Sequence, residues 1–136
     1  MQVTSQNAPV ARRWAQTLYL ALAGLILLGI FLQGFLIGAY LFGGDTWGQK
    51  THGFVGLALL VLSLLLALVG LLAQIPGRMK IWGFLLFVLM LIQFFLPSTS
   101  GNIPLLAALH PANAMILFGL SLFLIVRIRQ VMQTNG

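Results

Sequence analysis

Acid is what this chain most conspicuously lacks. Asp45 is its single acidic residue, cysteine is absent, and charged residues make up only 6% of the 136. Each shortage excludes something. Without cysteine there are no disulfides, no thiolate metal sites and no c-type haem attachment. With one acid there is no carboxylate pair, so general acid–base catalysis is not expected. The sequence also has no Ser-His-Asp set and no phosphate-binding loop, and the balance favours a role without catalysis. A soluble domain carries about 25% charged residues. This chain could not cover a surface facing water.

What it has is apolar length. Hydrophobic residues make up 60% of the chain, enough for about four spans of roughly 20 residues in a lipid bilayer. The net charge of +6 does not indicate nucleic acid, because the basic residues flank apolar runs and form no patch. Residues 1–13 read as a polar tail ending in Arg12 and Arg13. Thr17 to Phe42 is too long an apolar run for a signal peptide and predicts the first helix. Gly34 and Gly38 form a GxxxG in it, which predicts close approach of a neighbouring helix. Gly43 to Thr51 reads as a loop, with Trp47 suited to the headgroup belt. A second helix is expected from about His52 to Gln74, and Ile75 to Lys80 reads as a tight turn, with Pro76 and Gly77 as breakers. A short third helix covers about Ile81 to Leu96, and Pro97 to Asn102 ends it. Ile103 to Leu109 suits a short apolar turn at the interface. The fourth helix opens with Pro111 in its first position and reaches Val126 before a polar tail, set at 131–136. The expected architecture is all-α: one four-helix transmembrane domain over residues 14–130.

Arg12, Arg13, Arg78, Lys80, Arg127 and Arg129 fall on one side of these spans, and only Lys50 on the other. The positive-inside rule then predicts a multi-pass protein of the inner (plasma) membrane with both termini cytoplasmic.

The two histidines stand in matching contexts. HGFVGLALLVLSLLL, from His52, aligns without a gap on HPANAMILFGLSLFL, from His110. Ser63 and Ser121 each follow their histidine by eleven residues, and a Gln-x-Phe-Leu precedes each, at Gln33 and Gln93. The pattern is that of a duplicated helical hairpin, which would put both imidazoles at one depth near the outer ends of helices two and four. Gly56 and Ala114, one turn further in, would leave clearance for a flat macrocycle. Two neutral imidazoles across a bundle are what bis-His ligation of haem b requires. Lys50 could reach a propionate, and Gln33, Gln93 and Asn113 could support the ligands from behind. Other readings stay open. The histidines suit the watery interfacial zone, and His110 before Pro111 suits a cap or turn. The glutamines suit plain interhelical hydrogen bonds, and the serines suit bonds to their own helices. Asp45 with both histidines would make a two-histidine, one-carboxylate metal site. Met115 lies off the His110 face and reads as packing.

Gln33-Gly34-Phe35-Leu36, Trp47, His52, Ile75-Pro76-Gly77-Arg78, Gln93 and Leu109-His110-Pro111-Ala112-Asn113-Ala114 together resemble a family of small bacterial membrane proteins of unassigned function. The resemblance covers about residues 14–130, is most specific in Leu-His-Pro-x-Asn-Ala, and implies four helices and no known activity. In architecture alone the chain is similar to one half of haem A synthase and to bis-His haem b membrane bundles, although it lacks the acidic outer-loop motif of the synthase. Three roles follow: a haem b protein for electron transfer or sensing, a non-catalytic accessory subunit packing on a membrane partner or a second copy, and a quinone- or lipid-binding module. The orientation has a direct test. Cysteine introduced at Ser100 should react with an impermeant thiol reagent from outside the cell, and cysteine at Gly77 only after permeabilisation. The reverse pattern would overturn the topology.

Overall fold

A hydrocarbon solvent offers no hydrogen bonds, so a spanning segment must satisfy its own backbone, and a helix does so. The computed structural model of the chain describes residues 8–44 and 46–134, with side chains from Arg13 onward. It is all-helical: α1 (Ala8–Gly43), α2 (Thr46–Leu72), α3 (Gly77–Phe95), a 3₁₀ turn (Leu96–Thr99), the short α4 (Pro104–Ala107) and α5 (Leu109–Thr134). Four of the helical segments are long and apolar enough to cross a membrane. In each, only 22% of the most apolar window is buried, so most of every helix faces outward. Those outward faces carry Phe31, Phe42, Phe54 and Leu105, and that surface needs lipid. The chain is a multi-pass membrane protein.

Several helix ends differ from the expected ones. The first helix already runs from Ala8, within the expected tail; residues 1–7 and Asp45 lie outside the described residues. The expected loop from Gly43 to Thr51 is mostly helix, because α2 starts at Thr46. Gly48 is the reason: a Cβ there would stand 2.6 Å from the Leu36 carbonyl oxygen and 3.1 Å from the Tyr40 nitrogen. Its missing side chain lets α2 lie directly on α1, and packing extends the helix past its weak propensity. Gln74 adopts φ 49 and ends α2 as a left-handed cap residue normally would. Arg78 and Lys80 therefore belong to the first turn of α3 and not to a loop. The fourth long helix continues past Val126 to Thr134, held by fully buried Ile128 and by Arg127, whose guanidinium lies 5.4 Å from the Phe123 ring centroid.

The helices close a ring. α1 packs on α2 and α5, and α3 packs on the same two, so among the described residues α2 and α5 lie diagonally opposite. The buried positions repeat between the halves. In the His-aligned register Leu59, Ser63, Leu66 and Gly70 of α2 match Leu117, Ser121, Leu124 and Ile128 of α5, all buried. Sixty residues apart, Ala15, Tyr19, Ala23, Ile26 and Leu36 match Ile75, Met79, Gly83, Leu86 and Leu96, again all buried. Many inward positions of the two halves match, although buried Leu22 stands opposite exposed Trp82, and the inward faces meet in one core.

The glycines that permit close contact are not those of the GxxxG. A Cβ at Gly34 or Gly38 would meet nothing within 4 Å, so the expectation that this pair seats a neighbouring helix of the bundle fails. Gly34 faces outward, because the core-facing residues of α1 nearest it are Gln33 and Leu36. Close approach falls instead to Gly29, against Leu59, and to Gly70 and Gly83, between which the Tyr19 ring lies. Gly48→Ala should therefore destabilise the bundle by about 1–3 kcal/mol, whereas Gly34→Leu should stay within about 0.5 kcal/mol of the parent. Unfolding in mixed micelles checks both, and equal losses would overturn the assignment.

Candidate functional site: a histidine pair across the bundle

His52 sits in the second turn of α2 and His110 in the first turn of α5. Pro111 occupies the third position of α5, not the first. Its missing N–H is still one of the four that a helix start leaves unpaired, so the helix tolerates it and His110 is helical rather than a cap. Both helices run inward from the same end of the bundle, and each histidine faces the centre along the diagonal. The ring centroids are 6.0 Å apart and the planes are inclined at 55°, so the rings meet without stacking.

The orientation of each ring comes from its own hairpin. His52 Nδ1 lies 3.2 Å from the carbonyl oxygen of Gln33 on α1. His110 Nδ1 lies 3.1 Å from the carbonyl oxygen of Gln93 on α3. A carbonyl can only accept, so both Nδ1 atoms carry hydrogen and donate. A helical carbonyl has a second lone pair beside its ladder bond, which makes this possible without breaking either helix. In a neutral ring the proton on Nδ1 leaves the Nε2 lone pair free. Metal-bound histidines are typically fixed this way, with the other ring nitrogen donating to a backbone carbonyl. The two Gln-x-Phe-Leu segments thus contribute through their backbone, a role that side-chain reasoning about Gln33 and Gln93 missed. The Gln-x-Phe-Leu segment ahead of each histidine was the available signal.

Behind His110 two side chains bond to each other. Asn113 is buried and its Nδ2 donates to the Leu89 carbonyl at 3.0 Å and to Gln93 Oε1 at 2.9 Å. Behind His52, Gln33 Oε1 is buried without a partner. Gly56 adjoins this amide, since a Cβ there would lie 3.1 Å from Gln33 Nε2 and near nothing else. Gly56 therefore makes room for Gln33, where the sequence suggested clearance for a macrocycle. Ala114 is half-buried at the matching place on α5. Lys50 is exposed near the N-terminal end of α2. Met115 is 78% exposed and faces away from the pair, as its helical position predicts. Ser63 and Ser121 are buried and bond back to the Leu60 and Leu117 carbonyls at 2.7 and 2.8 Å. Asp45 lies outside the described residues, and among the described residues no group of three or more metal-ligating side chains assembles.

Asn113→Leu should strip Gln93 Oε1 of its donor and lower stability by about 1–3 kcal/mol, the usual cost of stranding a buried acceptor. Thermal unfolding in detergent measures this, and an unchanged midpoint would show that the Asn113–Gln93 bond carries no weight. No protein-family model matches this chain, and neither a curated protein nor a solved structure does.

Proposed function

We propose that His52 and His110 form a bis-imidazole site for haem b near the outer leaflet of the inner membrane, in a protein with both termini in the cytoplasm. The pair of Nδ1–carbonyl bonds carries this reading. Diagonal helices hold both rings in one tautomer with both Nε2 lone pairs free. Proximity supports it too, because the ring centroids lie 6.0 Å apart, close enough for one ligand to meet both rings. Two neutral nitrogen donors without a carboxylate or thiolate suit haem iron better than a hard cation.

The groups divide the work. His52 and His110 would hold the group through their Nε2 nitrogens, and the Gln33 and Gln93 carbonyls hold the rings against rotation. Asn113 locks Gln93, and Lys50 on the outer side offers a cation for a carboxylate. Bound there, haem would supply reversible one-electron exchange. A single such site near one leaflet cannot carry electrons across the membrane, so the role is electron transfer to a membrane partner, or sensing. The alternative role, an accessory subunit, draws on one observation: Gly34 and Gly38 face open space, leaving that seam for a helix of another chain or a second copy.

Expression with haem supply and a pyridine-haemochrome assay tests the proposal. The purified protein should show a Soret band and a low-spin spectrum with one haem per chain. His52→Ala and His110→Ala should each abolish the low-spin spectrum, while the folded protein persists by circular dichroism. Protein that remains colourless after haem supply would overturn the assignment.

A further inference from the structure

The end of the bundle away from the histidines is basic. Arg78, Lys80, Arg127 and Arg129 gather there, while Asp45, the one acid, stands in the sequence between α1 and α2, which meet at the histidine end. Two of these cations share a seam. α3 and α5 run antiparallel, and Trp82 meets Phe123 edge to face across them, with ring centroids 5.8 Å apart and planes at 72°. Arg78 lies four residues before Trp82, and Arg127 four residues after Phe123. One helical turn toward the basic end therefore brings both arginines to one level, on the faces that hold the rings. An arginine at a membrane surface usually sends its head toward water. Arg127 instead turns back toward the span, with its guanidinium 5.4 Å from the Phe123 ring centroid and Nη1 donating to Gln130 Oε1 at 3.1 Å. Its other N–H groups stay open, and Arg78 is exposed with no partner among the described residues. The remaining cations lie elsewhere: Lys80 Nζ reaches back to the Leu71 carbonyl of α2 at 3.5 Å, and Arg129 sits about 200° round the helix from Arg127. Toward mid-span the seam is open. Gly119, one turn from Phe123 on the same face, is exposed, and a Cβ there would meet nothing within 4 Å.

We propose that the α3–α5 seam at the basic end binds one anionic phospholipid of the adjoining leaflet. Arg78 and Arg127 hold its phosphodiester, and an acyl chain runs past the Trp82–Phe123 pair over Gly119. The site lies at the opposite end of the bundle from the histidine pair and holds whatever that pair binds. Three features select the occupant. The open groups are donors, two guanidiniums and the indole N–H of exposed Trp82, so the ligand must accept hydrogen bonds and carry negative charge. A guanidinium fork matches two phosphate oxygens, and no acidic side chain of this end competes for it. The surface on the hydrocarbon side, Gly119 beside exposed Leu122 and Phe123, is apolar, so a soluble anion would leave it bare and an acyl chain covers it. Basic pockets between spanning helices commonly seat acidic lipid headgroups for these reasons.

The test uses the full chain in neutral-detergent micelles, with Trp14→Phe and Trp47→Phe so that Trp82 is the only fluorophore of its kind. Phosphatidylglycerol brominated on its acyl chains is titrated in, and phosphatidylcholine with the same chains serves as the neutral comparison. Quenching of Trp82 reports a chain lying at the seam, and circular dichroism confirms that each variant is folded. Phosphatidylglycerol should quench at a lower mole fraction than phosphatidylcholine. Arg78→Gln and Arg127→Gln should each raise the half-quenching fraction of phosphatidylglycerol roughly fivefold, the worth of one basic side chain beside an acidic headgroup. Lys80→Gln and Arg129→Gln remove the same charge from the same end and should leave it at the parental value. Gly119→Leu fills the open seam, changes no charge, and should also weaken quenching. Glycerophosphoglycerol, the headgroup without chains, should not relieve the quenching even in large excess. Equal losses in all four charge variants would show a diffuse basic surface and overturn the site. Equal quenching by the two lipids, or relief by the chainless headgroup, would overturn the assignment to an anionic phospholipid.

Discussion

Hydrocarbon accepts and donates no hydrogen bonds, and nearly every polar feature of this protein answers to that constraint. The backbone meets it with long helices. The serines meet it by bonding back to their own carbonyls, and Gln16 by donating to the carbonyl of Ala73 just past the end of α2. The histidines meet it with one ring nitrogen each, and Asn113 with Gln93. Among the described residues two buried polar side-chain atoms do not meet it, Tyr19 Oη and Gln33 Oε1. The Tyr19 hydroxyl is aimed at the backbone of α3, where a Cβ on Gly83 would stand 2.8 Å from it. The Gln33 oxygen has no donor, whereas Gln93 Oε1 in the other half accepts from Asn113 Nδ2.

The matching of the two hairpins accounts for how so short a chain brings two histidines together. One hairpin can place a histidine on its inner face and fix it with a carbonyl from its own first helix. It cannot bring a second histidine opposite. Two copies related across the bundle do so automatically, because equivalent helices fall on the diagonal and equivalent residues at one depth. The core largely follows the same rule, as most buried positions of α1 and α2 recur on α3 and α5. The departures from symmetry are local. Tyr19 faces Gly70 and Gly83, whereas its counterpart Met79 needs no such space, and Val55 stands where Asn113 closes the other half.

Much of this was legible in the residues. The four spans follow from apolar length, and the shared depth of His52 and His110 follows from their aligned contexts. Exposed Met115 and the back-bonded serines followed from helical position. The helix ends were less legible. Thr46 to Thr51 has the composition of a loop and becomes helix because Gly48 lets it settle on α1. His110 precedes a proline and is still helical, because Pro111 falls among N–H groups that have no partner in any helix start.

The sequence by itself determined the solvent, the helical class, the number of spans and the pairing of two histidine segments, because apolar length and repeated order are properties of the chain read along one dimension. Only the tertiary structure decided which glycines matter. A GxxxG records that two small residues share a helix face, but not whether that face meets a helix or lipid, and Gly34 and Gly38 turned outward while Gly29, Gly48, Gly70 and Gly83 took the contacts. Tertiary structure alone also assigned the glutamines, whose carbonyls orient the imidazoles. A backbone atom of that kind leaves no mark on residue identity, and the difference between Gln33 and Gln93 depends on what lies across the helix interface.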